Sequence, residues 1–324
     1  MSELPGGLRA ALDRALEGVP RRNLAERARA TSDAYRAGKP SSGVIREADD
    51  ALAYALTRLP ATYAACAAVF AEAVRMAPRF LPRNVLDAGA GTGAASWAAL
   101  ETWPGVGAVA WLDASPPFLA LAARLAAEGP AALQHADARR ADLTSGGEDW
   151  PRAELVAASY ALAEIAPERQ AGVVQSLWAA CTGVLALVEP GTPAGYARIL
   201  AARTALIEAG ANILAPCPHH DACPLVGADW CHFSVRLPRS RDHRIAKGAE
   251  VPFEDERFAY LIAARPGVAA LARSPRILAP PRPGKPGIAL KLCGPDGVEQ
   301  RFVGRRDKAL HAVARRLGWG DVIP

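Results

Sequence analysis

Five short apolar runs, at 85–88, 108–112, 132–135, 154–158 and 184–189, alternate with helix-patterned stretches at 92–102, 116–128, 167–180 and 194–209. This alternation constrains the fold more than any other feature. Parallel strands need a crossover long enough to hold a helix, so the pattern predicts an α/β domain with a mostly parallel, Rossmann-like sheet. Such a sheet takes ligands at the carboxyl ends of its strands. The first run leads directly into Asp87-Ala88-Gly89-Ala90-Gly91-Thr92-Gly93. Glycines at alternate positions let the chain turn sharply from strand to helix and approach a ligand closely. The spacing is D-x-G-x-G-x-G, which differs from the dinucleotide pattern G-x-G-x-x-G.

Residues 1–80 read as helical, rich in Ala, Leu, Arg and Glu, with apolar residues at helical spacing over 24–35 and 48–75. The stretch 38–43 reads as a loop between them. The pattern is lost over 215–252, where Cys217, Cys223, Cys231 and several histidines sit among Pro and Arg. That is too long for an ordinary loop and points to a segment organised by a ligand. Strand patterns return at 258–263, 288–292 and 299–303. The last two are joined by Gly294-Pro295-Asp296-Gly297, a turn signal, as a hairpin expected to close the sheet. A final helix is predicted over 307–317, ending at Gly318. The chain thus divides into a helical region at 1–80, a Rossmann-like core at 81–212, a cysteine-rich insertion at 213–252 and terminal strands with a helix at 253–324.

The 324 residues, 51% hydrophobic and 22% charged, describe a globular protein with a sizeable core. No apolar run reaches the ~18 residues needed to span a bilayer. The N-terminus shows no signal or transit pattern, so a cytoplasmic protein is expected, from a bacterium given the Ala and Arg bias. The net charge of +5 is uneven: residues 211–324 carry +7 and the rest −2. A basic last third favours a polyanionic partner, nucleic acid first. Arg236, Arg239, Arg241, Arg244 and Lys247 follow the third cysteine closely and are the candidate phosphate contacts, with Arg301, Arg305, Arg306 and Lys308 as an extension.

The cysteine spacing is Cys217-x5-Cys223-x7-Cys231, with Cys293 a further 62 residues on. Four thiolates are a complete set for one tetrahedral zinc ion or one [4Fe-4S] cluster. Zinc ribbons usually carry C-x2-C pairs, and the wider spacing suits the larger cluster better. Zinc and unligated cysteines stay open on spacing alone. His219, His220, His232 and His243 are possible zinc ligands or outer-shell donors. Cys66 and Cys181 fall in apolar runs and read as core residues.

The turn at 87–93 resembles motif I of the class I S-adenosylmethionine-dependent methyltransferases. That resemblance implies that Asp87 lies near the methionine amine and that Gly89, Gly91 and Gly93 run along the cofactor. Asp113, at the end of the second strand, would hold the ribose diol, and Asp137 would contact adenine. Tyr160, after the fourth strand, stands where members of that class meet substrate and cofactor together. A cysteine nucleophile near the fourth strand and an N-P-P-Y signature are both absent, so no catalytic residue is assigned.

Pro216-Cys217-Pro218-His219, Cys223-Pro224-Leu225 and Trp230-Cys231-His232-Phe233-Ser234 together carry a closer likeness. So do Arg58-Leu59-Pro60-Ala61-Thr62-Tyr63, Glu189-Pro190-Gly191-Thr192-Pro193 and Trp319-Gly320-Asp321. Over roughly residues 45–324 the chain resembles the methyltransferase-like factors of the mitochondrial small ribosomal subunit and their bacterial relatives. The resemblance implies a [4Fe-4S] cluster on the four cysteines and a role with small-subunit ribosomal RNA in ribosome assembly and translation. A bacterial member, monomeric when free, is the resulting expectation. The alternatives are an active ribosomal RNA methyltransferase and a zinc-stabilised small-molecule or protein methyltransferase.

Overall fold

A computed structural model describes residues 2–36 and 41–323. Of the expected loop at 38–43, residues 38–40 lie outside the described residues, and 41–43 instead belong to one helical turn, α3 (Ser41–Val44). The other N-terminal helices are α1 (Gly6–Leu16), α2 (Arg21–Arg36) and α4 (Ala48–Met76). Then follow β1 (Asn84–Ala88), α5 (Ala94–Thr102), β2 (Ala108–Asp113), α6 (Pro116–Ala126), α7 (Ala131–Gln134), β3 (Asp137–Arg140), β4 (Ala153–Ser159), α8 (Pro167–Ala180), β5 (Cys181–Pro190) and α9 (Pro193–Glu208). The last third contains β6 (Asn212–Ala215), β7 (Phe233–Pro238), α10 (Arg241–Lys247), β8 (Phe253–Ala264), β9 (Arg276–Ile277), β10 (Arg282–Pro283), β11 (Gly287–Gly294), β12 (Gly297–Gly304) and α11 (Lys308–Ala314).

The central sheet has the order β3-β2-β1-β4-β5-β8-β6, with β7 paired to β8. Strands β1 to β5 are parallel, and β8 runs antiparallel to both neighbours. This is the class I methyltransferase sheet, with a helical region before it and the cysteine segment ahead of its terminal strands. Side-chain alternation along the strands divides the interior. Val85, Val109, Trp111, Ala157 and Val184 share one core with apolar residues of α1, α2, α4, α5 and α6. Leu86, Leu112, Val156, Leu185 and Leu261 face α8 and α9. Strands buried on both sides read as continuous apolar runs, which is why the sequence marks them so clearly.

Helix starts follow local chemistry. Ser115 accepts a hydrogen bond from Phe118 N ahead of Pro116 at the first position of α6, and Thr192 does the same for Gly195 N ahead of Pro193. Among the described residues, no helix is long and apolar enough to cross a membrane.

Three elements differ from expectation. Residues 132–135 form part of a helical turn, and the third strand begins at Asp137; its side chains are all exposed, so it lacks the apolar signal. The segment 215–252 holds β7 and α10, whose alternation of charged and apolar residues reflects a half-exposed edge. The hairpin β11–β12 does not close the central sheet. With β9 and β10 it forms a separate four-stranded sheet over its own core of Ile277, Ile288, Leu290, Leu292 and Val303.

Candidate functional site

The strand order reverses between β1 and β4, and the crevice at their carboxyl ends is where such sheets hold ligands. The turn after β1 lies there. Gly89, Gly91 and Gly93 have φ of +73°, +54° and +79°, a region closed to most side chains. A Cβ on Gly89 would sit 2.7 Å from Ala161 Cβ, so the turn packs directly on the loop leaving β4. A Cβ on Gly91 would meet nothing within 4 Å, leaving open space above the turn.

Asp87 is fully buried beneath the turn. Its Oδ2 accepts from Ser96 N at 3.0 Å and Ser96 Oγ at 2.7 Å, while Oδ1 has no partner. Burial pushes its carboxyl up to about 7, against the two Ser96 hydrogen bonds. Asp113 ends β2; its Oδ2 accepts from Gly91 N at 2.7 Å and its Oδ1 from Ser115 N at 2.8 Å. Each of these oxygens keeps a second acceptor direction, so a ribose diol remains compatible. An orphaned buried carboxylate oxygen, a turn open above Gly91 and an acidic residue at the β2 edge fit an amino-acid-plus-ribose ligand such as S-adenosylmethionine.

Asp137 does not join them. It opens β3 at its amino end, opposite Ala110, and pairs with Arg139 at 2.6 Å in an exposed ion pair. Asp142, two residues beyond β3, is the carboxylate at the correct edge: Ala141 N donates to Asp113 O, and Asp142 Oδ1 accepts from Thr144 N. The misplacement follows from the misread third strand.

A polar cluster that the sequence did not reveal borders the same crevice. Tyr160, at φ +59°, donates to Glu256 Oε1 at 2.7 Å. Arg58 donates to both oxygens of Glu256 at 2.9 and 3.2 Å. Glu256 arrives from β8, roughly a hundred residues after Tyr160, so no local spacing could signal it. Glu189, at the end of β5, is 1% exposed and paired with Arg198 at 2.6 Å. Burial pushes its carboxyl up to about 7, against Arg198 and the amides of the β4 exit loop.

The Asp87 carboxyl sits higher in the folded protein than its ordinary 3.8. Between pH ~4 and ~7 the native state therefore holds a proton that the unfolded chain has lost, and stability from this residue falls as pH rises through that window. Asp87→Asn does not titrate. The melting temperature of the variant, relative to wild type, is expected to rise between pH 5 and 7.5 by circular dichroism; a constant difference would contradict the assigned burial effect.

The four cysteines come from four places in the chain and line one cavity. Cys217 follows β6, Cys223 lies in the loop, Cys231 precedes β7, and Cys293 is on β11. Apolar side chains Ile199, Leu225, Leu261 and Leu278 complete the lining. Burial, with Cys217 and Cys223 adding to it, pushes the Cys293 thiol up to about 12. Cys231 is raised by burial and by the other three thiols.

Cationic and hydroxyl groups surround the thiols. Tyr196 Oη lies 3.1 Å from Cys223 Sγ. Arg203, 4% exposed, donates to His219 O at 2.9 Å and Asp221 O at 2.8 Å, while its Nε has no standard hydrogen bond. Four thiols with a buried guanidinium beside them could hold a metal group of net negative charge. Among the described residues, no group of three or more His, Cys, Asp or Glu converges on a point that could hold a single metal ion. Cys66 and Cys181 are buried outside this cavity, at 1% and 0% exposure.

The histidines have mainly structural partners. His220 Nε2 accepts from Ile213 N, His232 stacks on Trp230 with centroids 4.9 Å apart, and His243 is buried against Glu254. His219 Nε2 lies 3.8 Å from Cys293 Sγ.

The basic run after Cys231 is largely neutralised internally. Arg236 is bidentate to Asp255 at 2.7 Å and stacks on Phe253. Arg239 and Lys247 both bond Glu254, and Arg244 has a buried Nε without a partner; Arg241 is exposed. Burial alone would raise the Glu254 carboxyl, but the neighbouring His243, 3.4 Å away, and the hydrogen-bonded Lys247 hold it below the usual range. The carboxylates come from β8, which pairs with β7 residue by residue.

The sheet order and the glycine turn define a protein of the class I methyltransferase fold. Residues 48–324 match the family described as mitochondrial small ribosomal subunit Rsm22, and the chain belongs to that family. It is 29% identical over 302 residues to the human mitochondrial ribosome assembly protein METTL17, covering 84% of this chain and 62% of that one. It is also 29% identical over 216 residues to the mitochondrial Rsm22-cox11 tandem protein 2 of Schizosaccharomyces pombe, covering 52% and 29%. The chain thus spans less than two thirds of these relatives. Similar solved structures include magnesium protoporphyrin IX methyltransferase from Synechocystis PCC 6803 with bound S-adenosylmethionine. It is 19% identical, with a TM-score of 0.41, covering 63% of this chain and 80% of that one. Another is precorrin-6y C5,15-methyltransferase from Geobacter metallireducens GS-15, at 14%, 0.41, 62% and 86%. The expectation of a bacterial cytoplasmic protein is corrected here: the family and these two curated relatives are mitochondrial.

Proposed function

We propose that this chain is a methyltransferase-like ribosome assembly factor that binds S-adenosylmethionine in the β1–β4 crevice, carries a [4Fe-4S] cluster on Cys217, Cys223, Cys231 and Cys293, and binds small-subunit ribosomal RNA. The observation that carries this reading is the meeting of three thiols from one loop with the sequence-distant Cys293 in one apolar cavity beside a buried arginine. A cubane cluster takes one thiolate at each of its separated iron corners, so its donors need not converge on a point as those of zinc do. The cluster supplies a structural crosslink: it would tie the insertion to β11 through Cys293. Arg203 would offset the negative charge of the thiolate-bound group.

Gly89 and Gly91 would let the cofactor approach the backbone, Asp87 would lie on the side of its ammonium, and Asp113 would hold its ribose diol. Asp113→Ala is expected to weaken S-adenosylmethionine binding by roughly tenfold or more, as loss of charge-assisted hydrogen bonds costs ~1.5–3 kcal/mol. Equilibrium dialysis with radiolabelled cofactor measures this. Unchanged affinity would remove Asp113 from the site, and absence of binding by wild type would remove the cofactor from the account.

A second reading, an active ribosomal RNA methyltransferase, draws support from the Tyr160–Glu256–Arg58 cluster at the crevice. It requires labelled methyl groups in small-subunit RNA that Asp113→Ala abolishes.

A further inference from the structure

The small sheet β9–β12 belongs neither to the cofactor crevice nor to the interior of the central sheet. Its inner face is apolar and packs on Ala314 of α11. Its outer face follows from register: Arg282 lies opposite Ala289, Ala289 opposite Phe302, and Lys291 opposite Gln300. Phe302, on the edge strand β12, is 57% exposed on this face.

The ring has a defined seat. A Cβ on Gly287 would lie 2.8 Å from Phe302 Cζ, and one on Gly304 would lie 3.7 Å from its Cε1. Gly287 and Gly304 are direct partners in the ladder. The ring therefore rests on bare backbone on one side and presents the other side to solvent.

Charge collects at the same end of the ladder. Arg282, Lys285, Arg305, Arg306 and Lys308 are exposed, and Arg305 N donates to Pro286 O beside the glycine pair. Residues 279–316 hold nine Lys and Arg against three Asp and Glu. An exposed aromatic platform ringed by cations is the combination that single-stranded nucleic acid requires: a π-face for a base and positive charge for the backbone. An acidic peptide would use the charges but leave the ring unexplained.

We propose that this face, rather than the neutralised run around α10, binds unpaired RNA, with one base stacked on Phe302 and adjacent phosphates on Arg282, Lys285, Arg305 and Arg306. This rests on the RNA-binding reading above and gives it a location. The opposite end of β11 carries Cys293, about 20 Å away at ~3.3 Å per residue, so the same strand would join the RNA face to the cysteine cavity.

The test uses fluorescence anisotropy with the full chain, purified anaerobically, and a fluorescein-labelled twelve-nucleotide oligouridylate. An abasic backbone of equal length is run in parallel. Phe302→Ala is expected to weaken oligouridylate binding by roughly 5- to 100-fold, the worth of one stacked base, while leaving abasic binding unchanged. Arg305→Ala with Arg306→Ala should weaken both and lower the salt slope by about 0.7 per lost contact. Phe302→Leu, which keeps an apolar cover over Gly287, serves as a second variant in which folding is preserved and stacking is lost. Equal oligouridylate affinity in wild type and Phe302→Leu would overturn this surface and leave the RNA reading standing. Wild type that ignores oligouridylate yet sediments with small subunits would overturn it too, in favour of a protein contact. Wild type that does neither overturns both.

Discussion

Cys231→Ser, expressed and purified without oxygen, is expected to lose the broad absorbance near 400 nm and to fall from about four iron and four sulfide per chain to near zero. Cys181→Ser, buried at the start of β5 away from the cavity, should keep wild-type iron and sulfide. The loss should extend to structure. The loop between β6 and β7 contains Pro218, Pro224 and Gly227 and few buried apolar side chains, so its order would depend on the proposed cluster. Chymotrypsin, for which Leu225 and Trp230 are sites within this loop, should cut the variant there roughly tenfold faster than wild type. Unchanged iron in Cys231→Ser would exclude this thiol as a ligand, and one zinc with no sulfide in wild type would replace the cluster by a zinc site.

Arg276→Met is expected to cost about 3 kcal/mol or more of stability, read by urea unfolding. Arg276 is 3% exposed and donates to Pro216 O at 2.8 Å, Gly320 O at 2.6 Å and Glu72 Oε2 at 2.8 Å. One side chain thus joins α4, the residue before Cys217 and the chain terminus. Removing one partner from a buried ion pair costs ~3–5 kcal/mol, chiefly because the other polar groups stay buried and unpaired. The lower end applies because Arg75 still neutralises Glu72, at 2.7 Å. Glu72→Gln combined with Arg276→Met should cost less than the sum of the two changes. A cost under 1 kcal/mol would show that the carbonyls of Pro216 and Gly320 find other donors. Because Pro216 precedes Cys217, iron content should fall in parallel.

The parts of this molecule legible in the sequence are those written in local pattern. The buried strands β1, β2, β4 and β5 each carry a continuous apolar run, and the glycine turn needs three residues free to adopt positive φ. The third strand is not legible, because Asp137–Arg140 is an exposed edge with no apolar residue beyond Ala138, while the apolar residues before it belong to a helical turn. Asp137 was misassigned with it. The four cysteines were legible as a set, since rare residues with thiol chemistry stand out at any separation, although Cys293 comes from a different sheet. The basic run around α10 is legible as candidate phosphate contacts, but its internal ion pairs are not. Its partners Glu254 and Asp255 sit across a β-ladder, and only register reveals that pairing. The Tyr160–Glu256–Arg58 cluster likewise joins three distant segments, with no spacing to signal it.

The most direct test combines cofactor, RNA and ribosome in one experiment. Small subunits from cells lacking this gene are mixed with anaerobically purified wild-type or Cys231→Ser protein and radiolabelled S-adenosylmethionine, then resolved on a sucrose gradient. The account predicts that wild-type protein co-sediments with the small-subunit peak and that Cys231→Ser is largely lost from it. Label in the RNA of that peak would add methyl transfer to the role, and its absence would leave an assembly factor that uses the cofactor pocket without reaction. Wild-type protein that stays at the top of the gradient, with no labelled RNA, would contradict the account.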